Sequence, residues 1–98
     1  MEIKSKLCPR PCAGIYYWEQ PDQSEAILVK SLEQSKLLNA TGRLIWNMCD
    51  GTHDRQDILE SLIEQFGDVE ENTLANHLDQ FLDNLLAESY LWIPGSII

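Results

Sequence analysis

Residues 38–51 constrain the fold more than any other part of the chain, because two kinds of hydrophobic pattern meet there. Before this junction, β-branched and aromatic residues occur in short runs, which is typical of strands. After it, apolar residues recur at the three- and four-residue spacing of amphipathic helices. Within it, Asn39 or Thr41 can cap a short apolar helix containing Trp46, and Asp50-Gly51 can end that helix. The pattern predicts strands first and helices afterwards.

Three short strands are predicted before the junction, over residues 14–19, 26–30 and 35–38. Turn-forming residues at 20–24 separate the first two, and two successive hairpins imply an antiparallel meander. The preceding segment, residues 1–12, is predicted to be irregular, because Pro9 and Pro11 remove backbone hydrogen-bond donors.

Three helices are predicted after the junction. The second begins at Asp54, with Asp57 three residues later as the acid of a short capping box. The third begins with the same signal, Asp68 and Glu71, and its apolar positions continue to about Ser89. Residues 90–93 could then return as a short extended segment. The predicted organisation is an α+β domain over residues 13–93, with a C-terminal tail at 94–98.

Size and charge exclude several classes of function. A 98-residue chain can bury one core but hardly a roomy catalytic cleft as well, which favours surface recognition. The net charge is −9, and residues 41–98 hold two basic against eleven acidic residues. Nucleic-acid affinity rests on Lys and Arg that neutralise phosphates, so we expect no nucleic-acid partner. The acidic helices are most simply solvated faces, or else they attract a basic partner.

No catalytic or metal-binding motif stands out. Cys8 and Cys12 could hold a metal or form a disulfide, but a structural zinc site needs four ligands, and Cys49 is expected in the core. The chain has no nucleophile elbow or phosphate-binding loop, and neither histidine has an obvious carboxylate or nucleophile partner. We therefore expect no enzyme activity, no catalytic residue, no metal ligand and no cofactor. Without a secretory or membrane-spanning segment, the expected location is cytoplasmic, with no membrane partner.

The third predicted strand is a possible binding edge. An edge strand has unpaired backbone donors and acceptors, to which an extended peptide can add as a further strand. If the third helix lies beside residues 35–38, its apolar face and the strand together form a groove. The sequence supports the edge and the helix, but not their adjacency.

The residues of the junction also carry a family resemblance. The pattern Asn39-x-Thr41-Gly42-x-x-Ile45-Trp46, followed by Asp50-Gly51, Ile58 and a long last helix over 74–89, resembles the PqqD-like family. This family comprises the recognition elements for precursor peptides of ribosomally synthesised, post-translationally modified natural products. The resemblance implies a winged helix-turn-helix, a three-stranded antiparallel sheet followed by three helices.

The resemblance also implies a function. Such domains catalyse nothing; they bind the leader of a precursor peptide as an added strand and present it to a separate modifying enzyme. That enzyme could be a radical-SAM protein, a leader peptidase or a cyclodehydratase. The implied peptide-binding residues lie on the third strand and the last helix: Ser35, Lys36, Leu37, Leu38, Leu74, His77, Leu78 and Phe81. Some of the helix residues must belong to the core, and Lys36 and Leu37 cannot both face the groove, because strand faces alternate.

Two positions depart from the family pattern. His77 stands where the family usually has Asp, so it could contact an acidic or polar leader residue and make binding sensitive to pH near 6–7. Ser89 stands where the family often has Gly, which leaves the end of the last helix uncertain.

Two other functions remain open at this stage. A winged-helix DNA-binding regulator shares the coarse architecture, although residues 54–67 hold one Arg against four acidic residues. A small metal or redox protein would use Cys8 and Cys12.

Overall fold

The computed structural model describes residues 8–20 and 25–93. Its elements, in chain order, are β1 Arg10–Pro11, β2 Tyr16–Glu19, β3 Ala26–Ser31, β4 Gln34–Leu38, α1 Ala40–Met48, α2 Arg55–Gln65, α3 Glu71–Ala87 and β5 Leu91–Trp92. The predicted α+β fold, a three-stranded antiparallel sheet followed by three helices, is confirmed. Residues 1–7 of the N-terminal segment, residues 21–24 of the predicted turn and the tail 94–98 lie outside the described residues.

The three-stranded sheet has the order β2-β3-β4, and both pairings are antiparallel. Its register places Ile27 between Trp18 and Leu37 on one face. Ala26 and Leu38 pair on the other face, where both are buried. The buried face packs against the helices, and the opposite face is turned away from them.

One core joins the sheet and all three helices. On α3, the buried side chains recur every three or four residues and form the stripe that faces the core. The ring of Trp46 from α1 stacks on Tyr17 from β2, with ring centroids 6.4 Å apart. The buried apolar residues are Ala26, Leu28, Leu38, Ile45, Trp46, Cys49, Ile58, Leu62, Leu74, Leu78, Leu82, Leu85, Tyr90 and Leu91.

The first two helices begin as predicted. The Asn39 side chain accepts a hydrogen bond of 2.8 Å from the Gly42 amide and caps α1. On α2, the Asp57 amide donates to Asp54 at 2.9 Å, and the Asp57 carboxylate accepts from the Asp54 amide at 3.2 Å. This reciprocal pair is the predicted capping box.

The predicted start of α3 at Asp68 is wrong. Helix α3 begins at Glu71, after the N-cap residue Glu70, which makes no side-chain capping bond. The reason is the tight turn that follows α2, in which the Val69 amide donates to the Phe66 carbonyl at 2.9 Å. That turn incorporates Asp68, so its side chain cannot cap the next helix.

A second, two-stranded sheet was not predicted. Arg10 and Pro11, within the segment expected to be irregular, pair antiparallel with β5. The pairing partner, residues 91–92, is the short extended segment that the sequence did predict. A proline is tolerated here because β1 is an edge strand. The Arg10 guanidinium lies over the Trp92 ring, 5.8 Å from its centroid.

Gly51 is required where this second sheet meets the end of α1. Its φ of +88° lies in the left-handed region, and its amide donates to the Pro9 carbonyl at 2.9 Å. A Cβ at this position would also lie 2.6 Å from an Arg10 guanidinium nitrogen. Gly51, which was predicted to end the first helix, therefore also contacts the segment that leads into β1.

Candidate peptide-binding groove

Strand β4 has one unoccupied edge. It pairs with β3 on one side, and no other strand of residues 8–20 and 25–93 pairs with it on the other. In an antiparallel strand, alternate residues direct their backbone groups toward opposite sides. About half of the backbone donors and acceptors of β4 are therefore available to an added strand.

A groove lies beside this edge and consists of two adjoining hollows. The first has a volume of about 250 Å³ and is lined by Asn39, Thr41, Gly42, Ile45, His77, Gln80, Phe81 and Asn84. The second has a volume of about 340 Å³ and is lined by Glu25, Lys36, Leu37, Leu38, Asn39 and Phe81. We call these residues together the β4–α3 groove. Asn39 and Phe81 line both hollows, so the two hollows meet at the end of β4.

The α3 side of the groove is a helical stripe of its own. His77, Gln80, Phe81 and Asn84 follow the i, i+3, i+4, i+7 spacing and so share one face. This face adjoins the core stripe, which contains Leu78. The side chains are polar except for Phe81, whose ring forms the apolar floor between the two hollows.

Gly42 allows Phe81 to reach this position. A Cβ on Gly42 would lie 3.1 Å from Phe81 Cε1 and 3.3 Å from Leu38 Cβ, which is tighter than ordinary packing. Because Gly42 has no side chain, the Phe81 ring and the end of β4 can approach α1 closely. The same turn holds Asn39, whose side chain is fixed by its capping bond to the Gly42 amide.

The predicted site residues divide among three places. His77 and Phe81 lie on the groove wall. Leu74 and Leu78 instead pack in the core, and neither lines the groove; their side chains support the wall from behind. Leu38 is also buried, but it closes the bottom of the second hollow.

The alternation of β4 settles which of its residues face α3. Lys36 is on the same face as Leu38, and its Nζ lies 2.7 Å from a Glu88 carboxylate oxygen at the end of α3. Leu37 and Ser35 are therefore on the opposite face of the sheet, and Leu37 is 61% exposed. Leu37 can present only its backbone to an added strand within the groove.

Seven groove residues were missing from the prediction: Glu25, Asn39, Thr41, Gly42, Ile45, Gln80 and Asn84. Gln80 and Asn84 lie three and seven residues after His77, so the helical spacing alone could have identified them. Asn39 and the three on α1 were recognised only as parts of the first helix and its cap, because the sequence does not show that they lie beside the end of β4.

Charge is unevenly distributed along the groove. The first hollow is lined by no Asp, Glu, Lys or Arg, whereas the second contains Glu25 and Lys36. Lys36 and Lys30 both lie near the Tyr90 ring, with their Nζ atoms 6.0 and 5.7 Å from its centroid. The Lys30 Nζ also donates to the Glu88 carbonyl at 2.7 Å. The lysines therefore tie the sheet to the end of α3 and keep the groove walls in place.

One cluster superficially resembles a hydrolase triad. His53 Nδ1 lies 3.1 Å from the Asp50 carboxylate and 3.2 Å from Thr52 Oγ1, partners that the sequence did not reveal. A triad uses one ring nitrogen for the acid and the other for the nucleophile. Here both partners meet the same nitrogen, and hydrogen bonds from Thr52 hold the pKa of Asp50 at about 2. The cluster is a hydrogen-bonded turn.

The cysteines and acidic residues form no metal site in the described chain. No group of three or more His, Cys, Asp or Glu among residues 8–20 and 25–93 is arranged to hold a metal ion. Cys8, Cys12 and Cys49 are not in disulfides. No helix in the described part of the chain is both long enough and apolar enough to cross a membrane.

Two solved structures share this fold. TbiB1, solved in complex with the TbiA(beta) leader peptide, has a TM-score of 0.70 at 18% identity, over 91% of this chain and 99% of that one. The heterocyclase TruD has a TM-score of 0.60 at 18% identity, over 93% of this chain but 12% of that one. No curated protein matches the sequence.

The family assignment rests on the sequence match. The family model described as coenzyme PQQ synthesis protein D (PqqD) matches residues 25–91, from the second strand of the sheet to β5. This range contains β4, the Asn39 cap and the whole of α3, and the predicted resemblance is confirmed. The chain belongs to the PqqD family.

Proposed function

We propose that this protein is a non-catalytic adaptor that binds the leader of a ribosomally synthesised precursor peptide and presents it to a separate modifying enzyme. The observation that carries the proposal is the β4–α3 groove, in which an unoccupied strand edge lies beside a preformed wall. The leader binds as a strand antiparallel or parallel to β4. Backbone hydrogen bonds supply affinity, and the two hollows supply sequence preference.

The size of the hollows favours a peptide over a small-molecule substrate. Small-molecule sites enclose most of their ligand in about 300–1,000 Å³. Each hollow here is open, is near the lower limit of that range and adjoins a strand edge. An extended peptide places every second side chain on the same face, so neighbouring hollows can receive alternate residues. The solved complex of TbiB1, which shares the fold, with a leader peptide supports a leader peptide as the ligand.

The match to a heterocyclase supports a modifying enzyme as the partner. A region with this fold makes up 12% of the heterocyclase TruD, so the fold occurs within the chain of such an enzyme. An adaptor that holds the leader makes the meeting of the core peptide with the enzyme effectively intramolecular. A radical-SAM protein, a leader peptidase and a cyclodehydratase are all compatible with this role.

Charge favours the adaptor over a winged-helix DNA-binding regulator. In such a regulator, the second helix of the helix-turn-helix motif needs exposed cations to approach phosphates. The Arg of α2, Arg55, donates to Asp79 of α3 at 2.6 and 3.0 Å and is therefore engaged within the protein. The other charged residues of α2 are acidic.

The test is an amide NMR titration with the leader of the precursor peptide encoded nearest this gene. We expect saturable shifts at residues 34–39 and on the groove face of α3. The backbone amides of β4 that do not pair with β3 should become protected from hydrogen exchange. Shifts confined to β2, the other edge of the sheet, would contradict the proposed edge.

A pair of variants separates the groove from the rest of α3. His77→Ala should weaken leader binding several-fold, because a polar wall side chain is removed from the first hollow. Asn76→Ala is the matched control, because Asn76 is exposed on the same helix but does not line the groove. Equal affinities of the two variants would remove His77 from the site.

A further inference from the structure

The face of the sheet turned away from the helices is apolar. Across the three strands it forms two rows, Trp18–Ile27–Leu37 and Tyr16–Val29–Ser35. We call these six residues the outer sheet face. Tyr16 is 75% exposed and Trp18 is 69% exposed.

Folding does not explain this composition. The solvated face of an antiparallel sheet usually carries polar side chains. Here five of the six residues are apolar and none is charged, in a chain with 23% charged residues. A contiguous exposed apolar patch on a small protein indicates an interaction surface.

The face is too small to form a stable complex alone. Each aromatic side chain can bury about 150–250 Å², so the whole face offers on the order of 500 Å². A stable interface typically takes about 800 Å² from each partner. The available area therefore supports only weak association.

A bound leader would enlarge this face. The proposed leader strand lies beside β4, about 4.8 Å from it, and continues the sheet next to Ser35 and Leu37. Leader residues that alternate with those in the groove then point to the outer side. The sheet grows from three strands to four, and its outer area approaches that of a stable interface.

We propose that the outer sheet face, extended by the bound leader, is the docking surface for the leader's modifying enzyme. This inference rests on the proposed function. The partner is a protein with an uncharged, apolar patch that covers Trp18, Leu37 and the outward side chains of the leader together. The enzyme thereby recognises the loaded adaptor in preference to the empty one.

The charge of the chain argues against a second copy as the occupant. Each copy carries a net charge of −9, so two copies repel one another, whereas an enzyme need not carry that charge.

The proposal also gives the leader two interleaved roles. Every second residue contacts the groove, and the residues between them contact the enzyme.

The experiment measures binding of the purified modifying enzyme encoded beside this gene, with and without saturating leader. The variant is Trp18→Thr, which keeps a strand-forming residue and removes the ring. The control is Leu32→Thr, because Leu32 is fully exposed in the β3–β4 turn and outside the outer sheet face. Leader affinity, measured by the NMR titration, is the independent readout.

For Trp18→Thr we expect leader affinity within twofold of wild type and at least a tenfold loss of enzyme affinity in the presence of leader. Leu32→Thr should change neither. Tyr16→Thr provides a second variant if Trp18→Thr unfolds. Enzyme affinity that is unchanged in the folded variants, or equal with and without leader, would overturn the proposal.

Two further outcomes are distinguishable. Sedimentation of the chain with leader and no enzyme should show a single copy; a doubled mass lost in Trp18→Thr would assign the face to a second copy and overturn the proposal. Absence of leader binding by the wild type would instead contradict the proposed function. Ala substitutions at outward leader positions should lower enzyme affinity while leaving adaptor affinity unchanged.

Discussion

Ser89 shows how a single residue ends α3. Its φ of 64° lies in the left-handed region, and it is the one non-glycine residue with positive φ in the described chain. The Ser89 amide donates to the Leu86 carbonyl at 3.2 Å, and the Tyr90 amide donates to the Leu85 carbonyl at 2.8 Å. This pair of bonds is a Schellman motif, with Tyr90 and Leu85 both buried in the core. The position where the family often has Gly is therefore the one whose backbone favours Gly.

Ser89→Gly should stabilise the protein. A left-handed conformation costs an L-residue about 1–2 kcal/mol, and Gly avoids this cost. Because Gly also makes the unfolded chain more flexible, which offsets part of the benefit, we expect the free energy of unfolding to rise by about 0.5–1 kcal/mol. Urea unfolding of the two proteins measures the difference. Ser89→Ala keeps the strained backbone and serves as the control. An equal free energy of unfolding for Ser89→Gly and Ser89→Ala would show that the backbone conformation carries no cost.

At this scale, local signals were predictable and distant contacts were not. The Asn39 cap and the Asp54–Asp57 box involve residues three positions apart, so the sequence contains both partners. Leu74 and Leu78, predicted for the peptide site, are buried in the core, because two stripes run along α3 and only packing distinguishes the core stripe from the groove stripe.

The three strands of the larger sheet and the three helices were predictable in number and order, but their relative placement was not. Alternation along β4 was visible, yet which face is buried depends on the helices that cover the sheet. The structure turns Lys36 toward α3 and Leu37 away from it. Pairing of β1 with β5 was missed for the same reason, because a two-residue strand has no periodicity of its own and is defined by its partner.

Helices α2 and α3 are joined by an ion pair whose contribution should depend on pH. Arg55 donates two hydrogen bonds to Asp79, which holds the pKa of Asp79 below its ordinary value of 3.8. Because the folded-state pKa is lowered, the stabilisation is complete above about pH 4 and is lost as the pH falls below that value.

A double-mutant cycle with Arg55→Gln and Asp79→Asn measures this coupling. Both side chains are nearly half exposed, so solvent screening limits the expected coupling to about 0.5–1 kcal/mol at neutral pH and low salt. It should decrease as the pH falls below about 4 and as the salt concentration rises to about 1 M. A coupling that does not change with pH would show that the pair contributes through packing and not through charge.

On the scale of the whole molecule, one core links the sheet, the helices and β5. Cys49 lies at the end of α1 within that core, and burial, together with the nearby Asp50 charge, raises the pKa of its thiol to about 12. The predicted core position of Cys49 is confirmed. Because this pKa is raised from 9.0, the unfolded chain ionises first, and the fold loses stability as the pH rises from about 9 to about 12.

Cys49 should therefore report on global unfolding. In a variant with Ser at positions 8 and 12, alkylation at about pH 8 should be at least ~1,000-fold slower in the folded protein than in urea, because the thiolate is depleted and shielded. A variant that keeps only Cys12, which is half-buried, should react faster. Mass spectrometry follows both rates. Rapid labelling of Cys49 in the folded state would reveal a local opening of the core.

The pairing of β1 with β5 has a consequence for how this domain can be built into longer chains. Arg10 lies directly opposite Trp92, so the polypeptide enters and leaves the domain through the same corner. Paired residues of neighbouring strands are about 5 Å apart, a gap that a loop of a host protein can span without distortion. The fold is thus suited to transplantation as a cassette into a surface loop of another protein, with its groove intact.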